Sequence, residues 1–311
     1  MSASAIVTGA SGFLGSAMTS LLLDQGYHVV TIDRNSPPLL SGIYPIVGNL
    51  ISLDLEACIP AHKYVACFHF AGSSSVPESF VNPINDFMGS VPGTLNLIHF
   101  LSKHYPSCRL LVGSSAAVYG NPATLPIKES CPIIPISPYG IHKASIENLC
   151  AHYSRLLNFP ISILRIFSAY GSGQRKQLLW DTSKKLYEAS HSGLGSITMW
   201  GTGKETRDFI HATDIARVAL SVAEYHSSQI FDIINVASGQ QSQVVDIVNC
   251  LCKAWSKDIV PIFGGEARTG DPQQWCADIS YLEQFGYIPS ISFNEGLLEY
   301  ASWSRNYLLN H

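Results

Sequence analysis

Residues 5–15, Ala-Ile-Val-Thr-Gly-Ala-Ser-Gly-Phe-Leu-Gly, limit what this chain can fold into more than any other stretch. The β-branched run Ile6, Val7, Thr8 reads as a buried strand. It stops at a turn with glycine at every third place, Gly9, Gly12 and Gly15. An apolar helical pattern follows over residues 13–23. Strand, glycine turn and helix in that order open a βαβ unit. Gly9 permits a sharp exit from the strand, Gly12 leaves room for a pyrophosphate against the backbone, and Gly15 lets the helix lie close. The free N–H groups and partial positive charge of a helix N-terminus suit phosphate. Glycine turns between strands and helices are common, so the pattern needs a second sign. The next apolar run, residues 28–33, supplies it by ending in Asp33, whose carboxylate can accept both hydroxyls of an adenine ribose. That carboxylate repels a 2′-phosphate and favours NAD over NADP, while the guanidinium of Arg34 beside it could pair such a phosphate.

Beyond this opening, strand-like and helix-like segments alternate. Strands are expected at 44–47, 64–70, 109–112 and 161–166. A polar loop is expected over 73–79, and a helix over 83–105 with a kink or restart at Pro92. Ser137 and Pro138 read as N-cap and first-turn proline of a helix reaching about residue 158. Repeated βα alternation with short loops predicts an α/β fold with a doubly wound parallel sheet. The texture changes after Tyr170, where glycine, proline and aromatic residues become frequent. The expected organisation is a dinucleotide-binding domain over 1–169 and a smaller α/β substrate lobe over most of 170–311. Segments near 208–236 return to the main sheet. The basic, aromatic stretch 173–180 is either a cover for a nucleotide or the start of a helix.

Composition excludes several classes. Apolar residues are 46% and charged residues 14% of the 311-residue chain, which suits a sheet covered on both faces. A net charge of -4 leaves no basic footprint for nucleic acid. No apolar run approaches the ~18 residues that a membrane span needs. The eight cysteines show neither a CxxC pair nor metal-ligand spacing, so reduced thiols in a cytoplasmic protein, and no metal site, are expected.

The chemistry is concentrated in two places. Tyr139 and Lys143 lie four apart on the predicted helix and so share a face, where an ammonium would favour the phenolate. Ser114 and Ser115 follow a predicted strand, at the end of the sheet where ligands of open α/β folds bind. On its own, each of these is common in proteins that do no such chemistry.

Together with residues 8–15, 48–50, 69–72, 93–97, 114–120, 137–143, 164–167, 170–171, 207–209, 270–272 and Asp278, they form an ordered set spanning almost the whole chain. The set resembles the extended short-chain dehydrogenase/reductases, in particular the nucleotide-sugar epimerase/dehydratase family, and within it the UDP-glucose 4-epimerase type. The resemblance implies a Rossmann-type fold, tightly held NAD and a nucleoside-diphosphate sugar substrate. Tyr139 would remove the proton of a sugar hydroxyl while NAD takes the ring hydride, Ser115 would bond the same oxygen, and Lys143 would tune the tyrosine and hold the nicotinamide ribose. Other implied cofactor contacts are Gly9, Gly12, Phe13, Leu14, Gly15, Asp33 and Arg34 from the first two strands, then Asn49, Leu50, Phe70, Ala71, Gly72 and Ser90. Implied substrate contacts are Ser75, Ser115, Ser168, Arg207, Arg268 and Trp275, the two arginines on the diphosphate. The resemblance also implies a homodimer, formed through the helices over 83–105 and 137–158.

Four departures refine this. The dehydratases follow the catalytic hydroxyl with Asp and Glu, whereas Ala116 and Ala117 stand here and cannot move protons. Asn49, Ser90 and Ser168 replace an aspartate and two asparagines usual in the family. Trp275 would crowd an N-acetyl group at the sugar C2. The reading is a nucleotide-sugar epimerase acting at C4 through a transient 4-keto sugar. The alternatives are a reductase of a 4-keto-6-deoxy nucleotide sugar and a non-catalytic dinucleotide sensor.

Overall fold

The computed structural model describes residues 3–36, 41–225, 229–255, 258–266 and 270–311. The first half runs β1 (Ser4–Thr8), α1 (Phe13–Asp24), β2 (His28–Asp33), β3 (Ile43–Val47), α2 (Leu55–Cys58) and β4 (Tyr64–His69). Then come α3 (Val76–Val81), α4 (Pro83–Met88), α5 (Val91–His104), β5 (Arg109–Ser115), α6 (Pro138–Leu157) and β6 (Ile161–Ile166). The second half runs β7 (Ser168–Tyr170), α7 (Gln177–Ser192), β8 (Ser196–Met199), β9 (Thr206–His211), α8 (Ala212–Glu224) and β10 (Phe231–Val236). It ends with β11 (Gln241–Gln243), α9 (Val244–Trp255), β12 (Val260–Phe263) and α10 (Phe293–Asn310).

Among the described residues, seven strands pair in parallel in the order β10-β6-β5-β4-β1-β2-β3. The chain builds outwards through β2 and β3, returns to the other side of β1 as β4, and builds outwards again. This reversal opens a crevice at the carboxyl ends of β1 and β4, where such sheets bind ligands. The central strands are rich in buried apolar residues because both faces are covered, whereas β3 at the edge is largely exposed. Val7 and Phe68 pack with Met18 and Leu22 of α1 and Ile215 of α8, whereas Ile6 and Cys67 pack with Leu97 of α5 and Ile146 of α6. Adjacent residues of one strand thus feed opposite cores, as the period of two requires. Burial of each such Leu, Ile or Phe contributes about 1.5–3 kcal/mol.

One expectation is met and one changes. The helix expected over 83–105 restarts at Pro92 as expected: α4 ends at Met88, Gly89 and Ser90 intervene, and Pro92 occupies the first turn of α5. Proline is tolerated there because its missing N–H has no partner inside the helix. The loop expected over 73–79 contains the start of α3, capped by Ser75, whose hydroxyl accepts from Glu78 N–H at 3.3 Å.

The second half packs α7, α9 and α10 around Leu186, Val248, Leu251, Leu297 and Tyr300. Two small sheets accompany it, β11-β9-β7 and β12-β8. From this half β10 joins β6 in the main sheet, and α8 packs on α1.

Candidate active site

Ser115 and Tyr139 meet because the start of α6 is pressed onto the turn after β5. A Cβ on Gly140 would lie 2.6 Å from the Ala117 carbonyl oxygen, so only glycine lets the helix begin this close. Ser137 caps α6, its hydroxyl accepting from Gly140 N–H at 3.1 Å, and Tyr139 N–H donates to Ser79 Oγ of α3 at 3.1 Å. The Ser115 hydroxyl accepts from Ala117 N–H at 3.2 Å and lines the same cavity as the Tyr139 phenol, whose proton affinity it lowers. Lys143, only 8% exposed, donates from Nζ to the Gly113 carbonyl at 2.8 Å. Its ammonium lies 5.7 Å from the centroid of the Tyr139 ring.

The electrostatics differ from the sequence expectation. Burial pushes the Tyr139 phenol up to about 12, a rise opposed by the Ser115 hydrogen bond and aided by the charge of Asp86. Burial also brings Lys143 down to about 8, against the carboxylates of Asp86 and Glu147. Desolvation disfavours both charged forms and is the largest influence on each.

The residues expected to hold a dinucleotide gather at the carboxyl ends of β1 to β4. Gly9 has φ of +73°, and a Cβ there would lie 2.6 Å from Ala71 N, so the turns after β1 and β4 touch through bare backbone. A Cβ on Gly15 would lie 2.1 Å from the Gly9 carbonyl oxygen. Around Gly12, by contrast, a Cβ would meet only Gly9 O, at 3.1 Å, which leaves an open approach to the backbone. Among the described residues no side chain caps α1 and no acid stands in its first turn, so its N-terminus is left for an anion. Asp33 accepts from Ser11 N–H through one oxygen and from Asn35 N–H through the other, both at 3.0 Å. The carboxylate is thereby fixed beside the glycine turn, with lone pairs left for ribose hydroxyls. Arg34 is exposed, and Phe13 and Leu14 pack against the core.

The remaining cofactor candidates line the same edge. Asn49 turns its oxygen to Ile51 N–H at 3.1 Å, while the Leu50 carbonyl accepts from Asn96 at 2.7 Å. Ser90 Oγ accepts from Ser73 N–H at 2.9 Å and lies 3.1 Å from where a Cβ of Gly72 would stand. Phe70 and Ala71 follow β4, with Ala71 N–H on Thr8 Oγ1 at 3.3 Å. His69, which the sequence did not single out as functional, is buried between Thr8 and Thr94 at 2.6 and 2.9 Å. Burial, helped by the Lys143 charge, pulls it down to about 3 and keeps it neutral. These residues fit a dinucleotide.

On the other side of Tyr139 opens a cavity of about 730 Å³ lined by Ser75, Ser115, Tyr139, Ser168, Arg207 and Trp275, with Phe167 and Asp271. Arg268 lies outside the described residues. The Arg207 guanidinium stands 5.8 Å from the Trp275 ring centroid, and the indole N–H donates to the Gly120 carbonyl at 3.1 Å. Behind them Asp208, fully buried, accepts from Ser238 and Gly239 and from Ala277 N–H, which ties β9 to the segment carrying Trp275. Of the two alternatives for the stretch 173–180, the helix start is what the structure shows, and the stretch also lines the cavity. It starts α7 at Gln177, with Lys176 reaching Ser74 at 3.2 Å and Glu78 at 4.0 Å on α3.

Comparison with known proteins agrees with this geometry. Residues 5–237 match the model of the NAD dependent epimerase/dehydratase family. The chain belongs to this family. The UDP-glucose 4-epimerase of Azospirillum brasilense is 30% identical, over 97% of this chain and 92% of its own. Among solved structures, the UDP-N-acetylglucosamine 4-epimerase of Methanobrevibacter ruminantium superposes with a TM-score of 0.87 at 27% identity, covering 99% of this chain and 100% of its own. The UDP-glucuronic acid 4-epimerase of Bacillus cereus, in complex with UDP-glucuronic acid and NAD, does so with 0.86 at 27%, covering 98% and 99%. The seven-stranded parallel sheet is the Rossmann-type architecture of these epimerases, and NAD is the cofactor of this family member.

Proposed function

We propose that this family member interconverts C4 epimers of a UDP-hexose, with Ser115, Tyr139 and Lys143 as its catalytic residues. The observation that carries the reading is that Ser115 and Tyr139 share the wall of a cavity of about 730 Å³, large enough for a nucleotide sugar, with a buried ammonium beside the tyrosine ring. NAD, when bound, supplies reversible hydride exchange at the sugar carbon. Tyr139 takes the proton of the C4 hydroxyl and returns it to the oxygen after the sugar has turned. Ser115 holds that oxygen by a hydrogen bond throughout. The Lys143 ammonium offsets the phenolate that forms, in a site where burial alone would keep the phenol protonated. Ala116 and Ala117 leave elimination of water without an acid or base at those places.

The division of labour follows the two halves: residues 1–169 carry the dinucleotide, and 170–311 carry most contacts to the diphosphate and sugar. Arg207 and Arg268 pair the diphosphate, Ser75 and Ser168 bond it or the sugar, and Trp275 closes the C2 side. A cytoplasmic homodimer completes the reading. Its support is a set of reduced thiols and the apolar exposure along α4 and α6, where Ile84 is 75% and Ile141 51% exposed.

Purified protein mixed with UDP-glucose and no added nicotinamide should yield UDP-galactose, followed by NMR. Conversion only with stoichiometric NADPH would replace the epimerase by a reductase, and no conversion with any UDP-sugar would remove the reading.

A further inference from the structure

Two carboxylates act on the buried Lys143 ammonium, and they differ in what neutralises them. Glu147 shares the α6 face of Tyr139 and Lys143 and is gripped by the Arg165 guanidinium through Nε and Nη2 at 2.7–3.1 Å, with Ser114 on the same carboxylate. A permanent guanidinium at that range cancels most of its field. Among the described residues, Asp86 of α4 has no such guanidinium partner. It is 5% exposed, and its Oδ2 lies 2.6 Å from Nδ1 of a single imidazole, His142, the residue before Lys143. The Phe87 ring holds that imidazole edge-on at 5.5 Å. The segment bearing Asp86 is itself anchored. Ser73 Oγ donates to the Asp86 carbonyl at 3.3 Å, Ser73 N–H donates to Ser90, and Ser79 accepts from Tyr139 N–H.

We propose that Asp86, oriented by His142, is a positioning residue for the Tyr139–Lys143 pair, its buried negative charge maintaining Lys143 as an ammonium beneath the tyrosine ring. The other groups facing the pair do not supply this charge. From β4 Lys143 faces His69, which is neutral, and from its own helix Cys150, whose thiol burial pushes up to about 12. Tyr139 faces Ser115 of β5. The inference rests on the epimerase reading, and wild-type turnover tests that reading separately.

Loss of a negative charge near both groups lowers the pH at which each gives up its proton. In Asp86→Asn both limbs of the kcat–pH profile should therefore move to lower pH by about half a unit or more, with KM for the UDP-sugar within about twofold. His142→Phe removes the ring nitrogen that orients the Asp86 carboxylate, so it should move the limbs the same way. His142→Gln, which keeps an N–H for the carboxylate, should leave them in place. His142→Phe carries the test if Asp86→Asn does not fold. Limbs unmoved in Asp86→Asn and His142→Phe, or moved equally in His142→Gln, overturn the proposal while leaving the wild-type activity intact.

Discussion

The two walls around Tyr139 are made of different material. On the dinucleotide side the contacts are backbone: glycines that let turns touch, uncapped N–H groups, and one carboxylate held by two more N–H groups. On the cavity side they are side chains delivered from distant segments, such as Trp275 fixed by Gly120 and Asp208 bonded to Ser238, Gly239 and Ala277. A backbone wall tolerates almost no change and recognises one shape. A side-chain wall can be rebuilt residue by residue, which is where substrate preference can change without the fold.

That contrast can be broken or sharpened by experiment. Gly9→Val should have the largest effect, because it demands a β-branched residue at positive φ with its Cβ on the Ala71 backbone. Loss of soluble protein or of bound NAD is expected, at a cost of several kcal/mol. A variant that folds and binds NAD normally would show the backbone wall to be softer than described. Tyr139→Phe should keep the fold and the NAD but lower kcat about 10²- to 10⁴-fold, as loss of a general base does. Near-normal turnover would remove Tyr139 from the chemistry.

Buried His69 sits at the foot of the backbone wall, and its proton affinity is lowered on folding to about 3. The unfolded chain, with an imidazole near ~6.5, then binds more protons between those values, so stability falls as pH drops through that window. The slope should approach about 1.4 kcal/mol per pH unit, measured by denaturant melts, and His69→Gln should flatten it. The smallest effect is expected on the cavity side. Trp275→Cys opens space beside Phe167 and should raise turnover of UDP-N-acetylglucosamine relative to UDP-glucose about tenfold. An unchanged ratio would place the C2 substituent elsewhere.

Legibility followed the same divide. Residues 5–15 specified strand, turn and helix because glycine at those places has a local steric meaning. The apolar runs predicted a sheet covered on both faces for the same reason. The restart expected at Pro92 is present, with Pro92 in the first turn of α5, whereas the gap at Gly89 and Ser90 that precedes it carries no such local sign. The Asp86–His142 contact spans 56 residues of chain, and no local pattern announces it. A lone buried aspartate in Asn82-Pro83-Ile84-Asn85-Asp86 looks like any helix start.

By itself, the sequence determined the βαβ opening, the parallel sheet and the family, because these depend on spacing and residue type along a few neighbouring positions. Only the tertiary structure decided which charges surround Tyr139 and Lys143. It also decided that burial raises the phenol to about 12 instead of the ammonium lowering it, because desolvation depends on everything packed around a group and not on its neighbours in the chain.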